Sequence, residues 1–123
     1  MNFVSLSEAD IKAAPELVKK IRSELPAFDY NPKPAGYDST ILTRKNKEIL
    51  EDGAEYTGEW DNKGLKEGQG VIIWADGSLY EGYWNNDKAH GRGRLIHADG
   101  DVYNGEWKDN KAHGYGVYKH TCG

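Results

Sequence analysis

Tyr80-Glu81-Gly82-Tyr83-Trp84 is the stretch whose reading decides the fold, because the same phrase stands three times in the chain. It occurs earlier as Tyr56-Thr57-Gly58-Glu59-Trp60 and later as Tyr103-Asn104-Gly105-Glu106-Trp107, at spacings of 24 and 23 residues. A second phrase keeps the same step: Gly68-x-Gly70 returns as Gly91-x-Gly93 and Gly114-x-Gly116. Self-similarity at a fixed period of this length marks a repeat architecture, in which each unit buries its apolar side against the next. The one extra residue of the first unit falls between Trp60 and Gly68, which makes that segment a loop, where insertions are tolerated.

Within a unit the side chains alternate with the period of a strand. Tyr80, Gly82 and Trp84 point one way, and Leu79, Glu81 and Tyr83 the other. The second phrase behaves alike, with Gly70, Ile72 and Trp74 sharing a face. Asp76-Gly77 and Asp99-Gly100 supply the positive φ angles that tight hairpin turns demand. Each unit is therefore a pair of antiparallel strands. Gly58, Gly82 and Gly105 would ordinarily weaken a strand; here they are expected to leave bare backbone over which a Tyr or Trp ring lies flat. Two readings of the rings stay open: a packed core, or an aromatic groove that takes a ligand.

Tyr-x-Gly-x-Trp, a short polar loop, Gly-x-Gly and Asp-Gly, in that order, resemble the MORN repeat. The resemblance covers about residues 54–123, as units 54–77, 78–100 and 101–123. A degenerate half-unit precedes them around Arg44 to Gly53, with Arg44 and Asn46 where the paired glycines should be. What the resemblance implies is a mainly β fold: an elongated, open antiparallel meander of hairpins in a single twisted sheet. It implies a non-catalytic scaffold or docking module without a cofactor, with other proteins, another MORN array among them, as partners. MORN arrays occur in ciliary and cytoskeletal proteins, in proteins linking membranes, and as appendages of lipid kinases and a lysine methyltransferase. The wording from Gly93 to Tyr103 resembles arrays of motile-cilium proteins, including radial spoke head components, which implies the cytoplasm, the cytoskeleton and the cilium as its place. Docking is expected at the repeated aromatics Tyr56, Trp60, Trp74, Tyr80, Trp84, Tyr103 and Trp107, and on the last strand at Tyr115 and Val117.

Residues 1–50 read as an arm preceding the array at 51–123. Ile11, Ala14, Val18, Ile21 and Leu25 keep a three-four helical spacing, and Ser7 with Asp10 resembles a capping box. Pro15 interrupts the pattern, so the main helix is expected over about 15–25, stopping before Pro26. A helix this short needs a partner surface. That surface is either the aromatic face of this chain's own sheet or another protein, contacted through Ile11, Val18, Ile21 and Phe28. From Pro26 through Tyr37 the chain should be an extended, proline-containing strap.

Composition narrows the remaining functions. The chain has 123 residues and a net charge of -4, which argues against binding a nucleic-acid backbone. No apolar run of membrane-spanning length exists, and one cysteine, Cys122, cannot build a disulfide framework or a multi-cysteine zinc site, so a reducing intracellular setting fits. His90 and His113 occupy equivalent positions, as do His97 and His120; two strands at about 4.8 Å each separate such pairs by roughly 9.6 Å, too far to share a zinc ion. The acidic pairs flank turns and offer no acid-base couple. The alternative to a protein scaffold is a peripheral membrane adaptor for phosphoinositides, but residues 54–123 hold eight basic and eleven acidic side chains, and only Arg92 and Arg94 cluster on one strand face. The strand from Tyr115 to His120, with one lysine and no proline, is an edge suited to β-augmentation.

Overall fold

The computed structural model describes residues 8–120, with side chains from Glu16 onward. Helix α1 (Glu8–Glu24) is followed by an extended strap, a 3-10 turn (Ser39–Ile41) and seven strands. These are β1 (Thr43–Ile49), β2 (Glu55–Trp60), β3 (Lys66–Ile73), β4 (Leu79–Asn85), β5 (Lys88–Ile96), β6 (Val102–Lys108) and β7 (Lys111–Lys119). They form one open sheet in sequence order, every pair antiparallel, which is the hairpin meander that the repeat requires.

The register lays the repeat motifs side by side. Gly58 faces Gly70, which faces Gly82; Gly82 faces Gly93, which faces Gly105, and Gly105 faces Gly116. A row of bare backbone thus crosses the sheet from β2 to β7. The two kinds of glycine in it do different work. A Cβ on Gly70 would sit 2.1 Å from the Tyr56 hydroxyl, and one on Gly93 would sit 2.2 Å from that of Tyr80. A Cβ on Gly58 or Gly82 would instead strike the neighbouring strand's backbone, at 2.4 and 2.5 Å. The glycine beneath each ring is therefore the second of the Gly-x-Gly pair; the one inside Tyr-x-Gly-x-Trp makes room for the adjacent strand.

Turns alternate in chemistry along the meander. Gly77 and Gly100 adopt positive φ at the Asp-Gly corners. Between β4 and β5 the corner is Asn86-Asp87, and between β6 and β7 it is Asp109-Asn110, all four at positive φ. Asn and Asp tolerate that region best among residues with a Cβ, as a two-residue hairpin of the primed type requires. These corner residues also bind backward. The Asp87 N–H donates to the Lys66 carbonyl and the Asn110 N–H to that of Ala89, so each hairpin tip is tied to the preceding unit.

The half-unit before the repeats is a real strand, β1, so the sheet begins within the segment read as the arm. Its register differs from expectation by one residue. Thr43 and Lys45, not Arg44 and Asn46, face Trp60 and Gly58, because a bulge between Lys45 and Glu48 inserts one residue into β1. All seven residues of β1 are exposed, three of them basic, which suits a protected edge.

Helix α1 runs unbroken through Pro15, at the loss of the one hydrogen bond that Pro15 cannot donate, rather than beginning there. Ser7, the side chain of Ile11, Cys122 and Gly123 lie outside the described residues. The helix packs on this chain's own sheet, and on the face opposite the aromatic one. Val18 and Ile21 are buried with Leu79, Ile96 and Val102, and Leu25, Val71 and Ile73 pack around them. The aromatic face is filled by its own rings, whereas the reverse face presents aliphatic positions that match the helical stripe.

Candidate functional site

Six rings form a continuous ladder across the sheet. From Trp60 it passes to Tyr56 (centroids 4.9 Å apart), Trp84 (5.6 Å), Tyr80 (5.1 Å), Trp107 (5.4 Å) and Tyr103 (5.3 Å), every contact edge to face. That geometry sets the positive rim of one ring on the negative face of the next, each pair adding about 0.5–1.5 kcal/mol beyond burial. Polar atoms are turned onto backbone. The Tyr56 and Tyr80 hydroxyls donate to the carbonyls of Glu59 and Tyr83, and the indole N–H groups of Trp84 and Trp107 donate to those of Gly70 and Gly93 in the preceding unit. Burial pushes the phenols of Tyr56 and Tyr80 far above their ordinary range, in Tyr56 with added repulsion from Glu59. Trp60 breaks the series: its buried Nε1 has no partner among the described residues, and there Lys45 faces Gly58 in place of the Gly–Gly pairing found in the later units.

Much of the ladder is therefore core. Tyr56, Tyr80, Trp84 and Trp107 are buried, while Trp60, Trp74 and Tyr103 pack partly exposed against them. A cavity of about 290 Å³ opens on this face, lined by Trp74, Trp84, Trp107, Tyr80 and the Lys66–Asp87 pair among others. Lys66 Nζ lies 2.7 Å from Asp87 Oδ1 and 5.3 Å from the centre of the Trp84 ring, joining an ion pair to a cation–π contact. Burial alone would raise the Asp87 carboxyl; the hydrogen bonds and charge of Lys66 outweigh it and hold the group below its ordinary value.

The reverse face is ionic where the first is aromatic. Glu81, 2% exposed, accepts from Arg94 Nε and Nη2 at 3.0 and 2.6 Å and pairs with Arg22 of α1 at 2.7 Å. Arg94 Nη1 reaches the Pro26 carbonyl at 2.8 Å, fixing the start of the strap. Further along, Tyr83 donates to the Tyr30 carbonyl, and Tyr37 donates to Glu59, which also accepts from the Gln69 N–H. Burial, with the nearby Glu81 carboxylate, pushes the Tyr30 phenol up to about 12. The arm is thus buttoned to the sheet at four places. Sequence reasoning missed this because its partners are up to 68 residues apart.

Of the residues expected to dock partners, Val18 and Ile21 are spent on the chain's own sheet, and Phe28 is half-buried in the strap. Arg94 is likewise not a surface cation. The last strand is different: Tyr115 and Val117 are 79% and 55% exposed. Tyr118, at 49%, occupies the position where Ile72 and Leu95 of the inner units are buried. Sequence reasoning passed over Tyr118, although its place in the repeat was available as a signal.

An open sheet of three in-phase hairpin units, with one face covered by its own arm and one edge apolar, defines a repeat binding module. The MORN repeat model matches residues 56–79, 80–102 and 103–121, more than half of the chain, and the protein belongs to the MORN repeat family. The family comprises protein- or lipid-binding modules and is not catalytic. No curated protein matches the chain. Among the described residues no helix is long and apolar enough to cross a membrane, and no cluster of three or more His, Cys, Asp or Glu is arranged to hold a metal ion.

Proposed function

We propose that this protein is a non-catalytic scaffold that docks other proteins, as a component of a cytoskeletal or ciliary assembly. The observation that carries the reading is the contrast along equivalent strand positions: Ile72 and Leu95 are 3% and 2% exposed, whereas Tyr118 on β7 is 49% exposed beside Tyr115 and Val117. An edge strand with free backbone groups and apolar side chains favours an added strand from a partner. The aromatic groove around Trp74 is a second contact surface, and the ciliary setting rests on the likeness of the Gly93–Tyr103 wording to axonemal arrays. The excess of acidic side chains over the array weighs against an anionic bilayer as the principal target.

The test is assembly. The full chain should gain thermal stability with rising concentration or with co-purified partners, and Val117→Lys should remove that gain while leaving the monomer folded. A melting temperature indifferent to both would sink the scaffold reading. Flotation with phosphoinositide vesicles decides for the membrane adaptor if binding is strong and falls sharply with salt.

A further inference from the structure

Two arginines of β5 stand two residues apart on the same face and have opposite fates. Arg94 uses all three guanidinium nitrogens on Glu81 and the Pro26 carbonyl. Arg92 uses none: its Nε is buried without a hydrogen-bond partner, and among the described residues it makes no ion pair. Glu106 is its cross-strand neighbour, yet the two are not within ion-pair distance. A half-buried guanidinium with nothing to bind is costly, and the side chains around it explain what it awaits. Arg92 lines a cavity of about 470 Å³ together with Lys33 of the strap, His90, Lys108 of β6, His113 of β7 and the single carboxylate of Glu106. His90 Nδ1 is also buried without a partner. Four elements of the fold, the strap, β5, β6 and β7, thus bring three permanent cations and two imidazoles to one corner, and neither Lys33 nor Lys108 is neutralised by an ion pair among the described residues.

We propose that this corner binds a phosphate monoester carried by a phosphorylated serine or threonine of a partner protein. The chemistry follows from charge and fork geometry. A phosphate monoester brings about -1.5 to -2 charge and three strong acceptors, which a guanidinium fork flanked by lysines satisfies; a carboxylate would leave cations unmatched. The protein source follows from what adjoins the corner. Arg92 and Glu106 also line a second cavity of about 470 Å³, shared with Val102, Tyr115 and Val117. A phosphorylated extended segment that lies against the apolar edge therefore delivers its phosphate to Arg92. An anionic bilayer, by contrast, meets an array with more acidic than basic residues.

The inference goes beyond the scaffold reading and is read separately from it, by titration with small probes. Full-length protein labelled with 15N is titrated with inorganic phosphate and with N-acetyl-phosphoserine methylamide, following the Arg92 Nε–H resonance. Saturable shifts at Arg92 and His90 are expected. Arg92→Gln should weaken binding by roughly tenfold or more. Lys108→Gln, at an exposed position, should weaken it several-fold without touching the fold, and Lys63→Gln in the distant first loop should leave it unchanged. Absence of a saturable shift, or equal affinity in Lys108→Gln and a folded Arg92→Gln, overturns the proposal. Binding to vesicles containing phosphatidylinositol 4-phosphate, with none to the phosphoserine probe, overturns the protein source and assigns the corner to a lipid headgroup.

Discussion

On one face of the sheet six rings meet edge to face, and four of them give their polar atoms to backbone; on the other, one carboxylate shared by two arginines holds down a helix and a strap. The first face is built from contacts that recur unit by unit, between residues 3 to 14 apart in sequence for the hydrogen bonds of its rings. The second is built from contacts up to 68 residues apart that occur once each. The comparison teaches that the repeat specifies only half of this fold. Ring, glycine and indole acceptor recur, so the aromatic face tolerates another unit; the arm's partners Glu81 and Arg94 exist in the middle unit alone, so the arm fits one place.

The largest test of the contrast is Trp84→Ala. It removes a buried indole, its hydrogen bond to Gly70 and two ring contacts, and should cost about 3–5 kcal/mol in urea denaturation. A loss near zero would mean that the ladder is surface rather than core. On the reverse face, Glu81→Ala leaves buried Arg94 without its carboxylate. The expected loss is about 3 kcal/mol, at the lower end for a broken buried pair because the Arg22 side chain keeps access to solvent. Limited proteolysis should then cut between Leu25 and Tyr37 while the strands stay protected; simultaneous cleavage of strands and strap would show that the two faces are not separable. Gly93→Ala, which drives a methyl group into the Tyr80 ring, should cost about 1–3 kcal/mol.

The smallest effect belongs to the Lys66–Asp87 tie. The folded carboxyl of Asp87 titrates below its unfolded value of 3.8, so its contribution is present above that pH and is lost as pH falls through the lower folded value. Asp87→Asn should flatten that part of the acid-unfolding profile and leave stability at neutral pH little changed, since the Asp87 side chain is 47% exposed.

How much of this could be read from the sequence follows the same division. The period, the strand alternation, the Asp-Gly corners and the aromatic side were readable because each is local and written three times. The glycine beneath each ring was misplaced by half a unit, since spacing shows that space is needed but not which neighbouring strand fills it. Strand β1 was harder: it lacks glycines and aromatics, and its bulge shifts the phase by one residue, so Arg44 and Asn46 were matched where Thr43 and Lys45 stand. The arm's seat could not be read. Glu81 looks like any outward-facing acid on a strand, and nothing nearby in sequence announces Arg22, 59 residues away, as its partner. The Arg92 corner was masked for the same reason, because Arg92 and Arg94 look alike until Glu81 claims one of them.

The indoles of Trp84 and Trp107 each donate to a carbonyl in the unit before their own, and the hairpin tips do the same. The boundaries that a reader draws between motifs are thus not seams along which the polypeptide can be parted. An engineer who trims or grafts this array must cut through loops in increments of one unit, 23 or 24 residues, taking each tryptophan together with the glycine strand that precedes it. A fragment beginning at the tyrosine of a motif would carry an indole with no acceptor, as Trp60 does already.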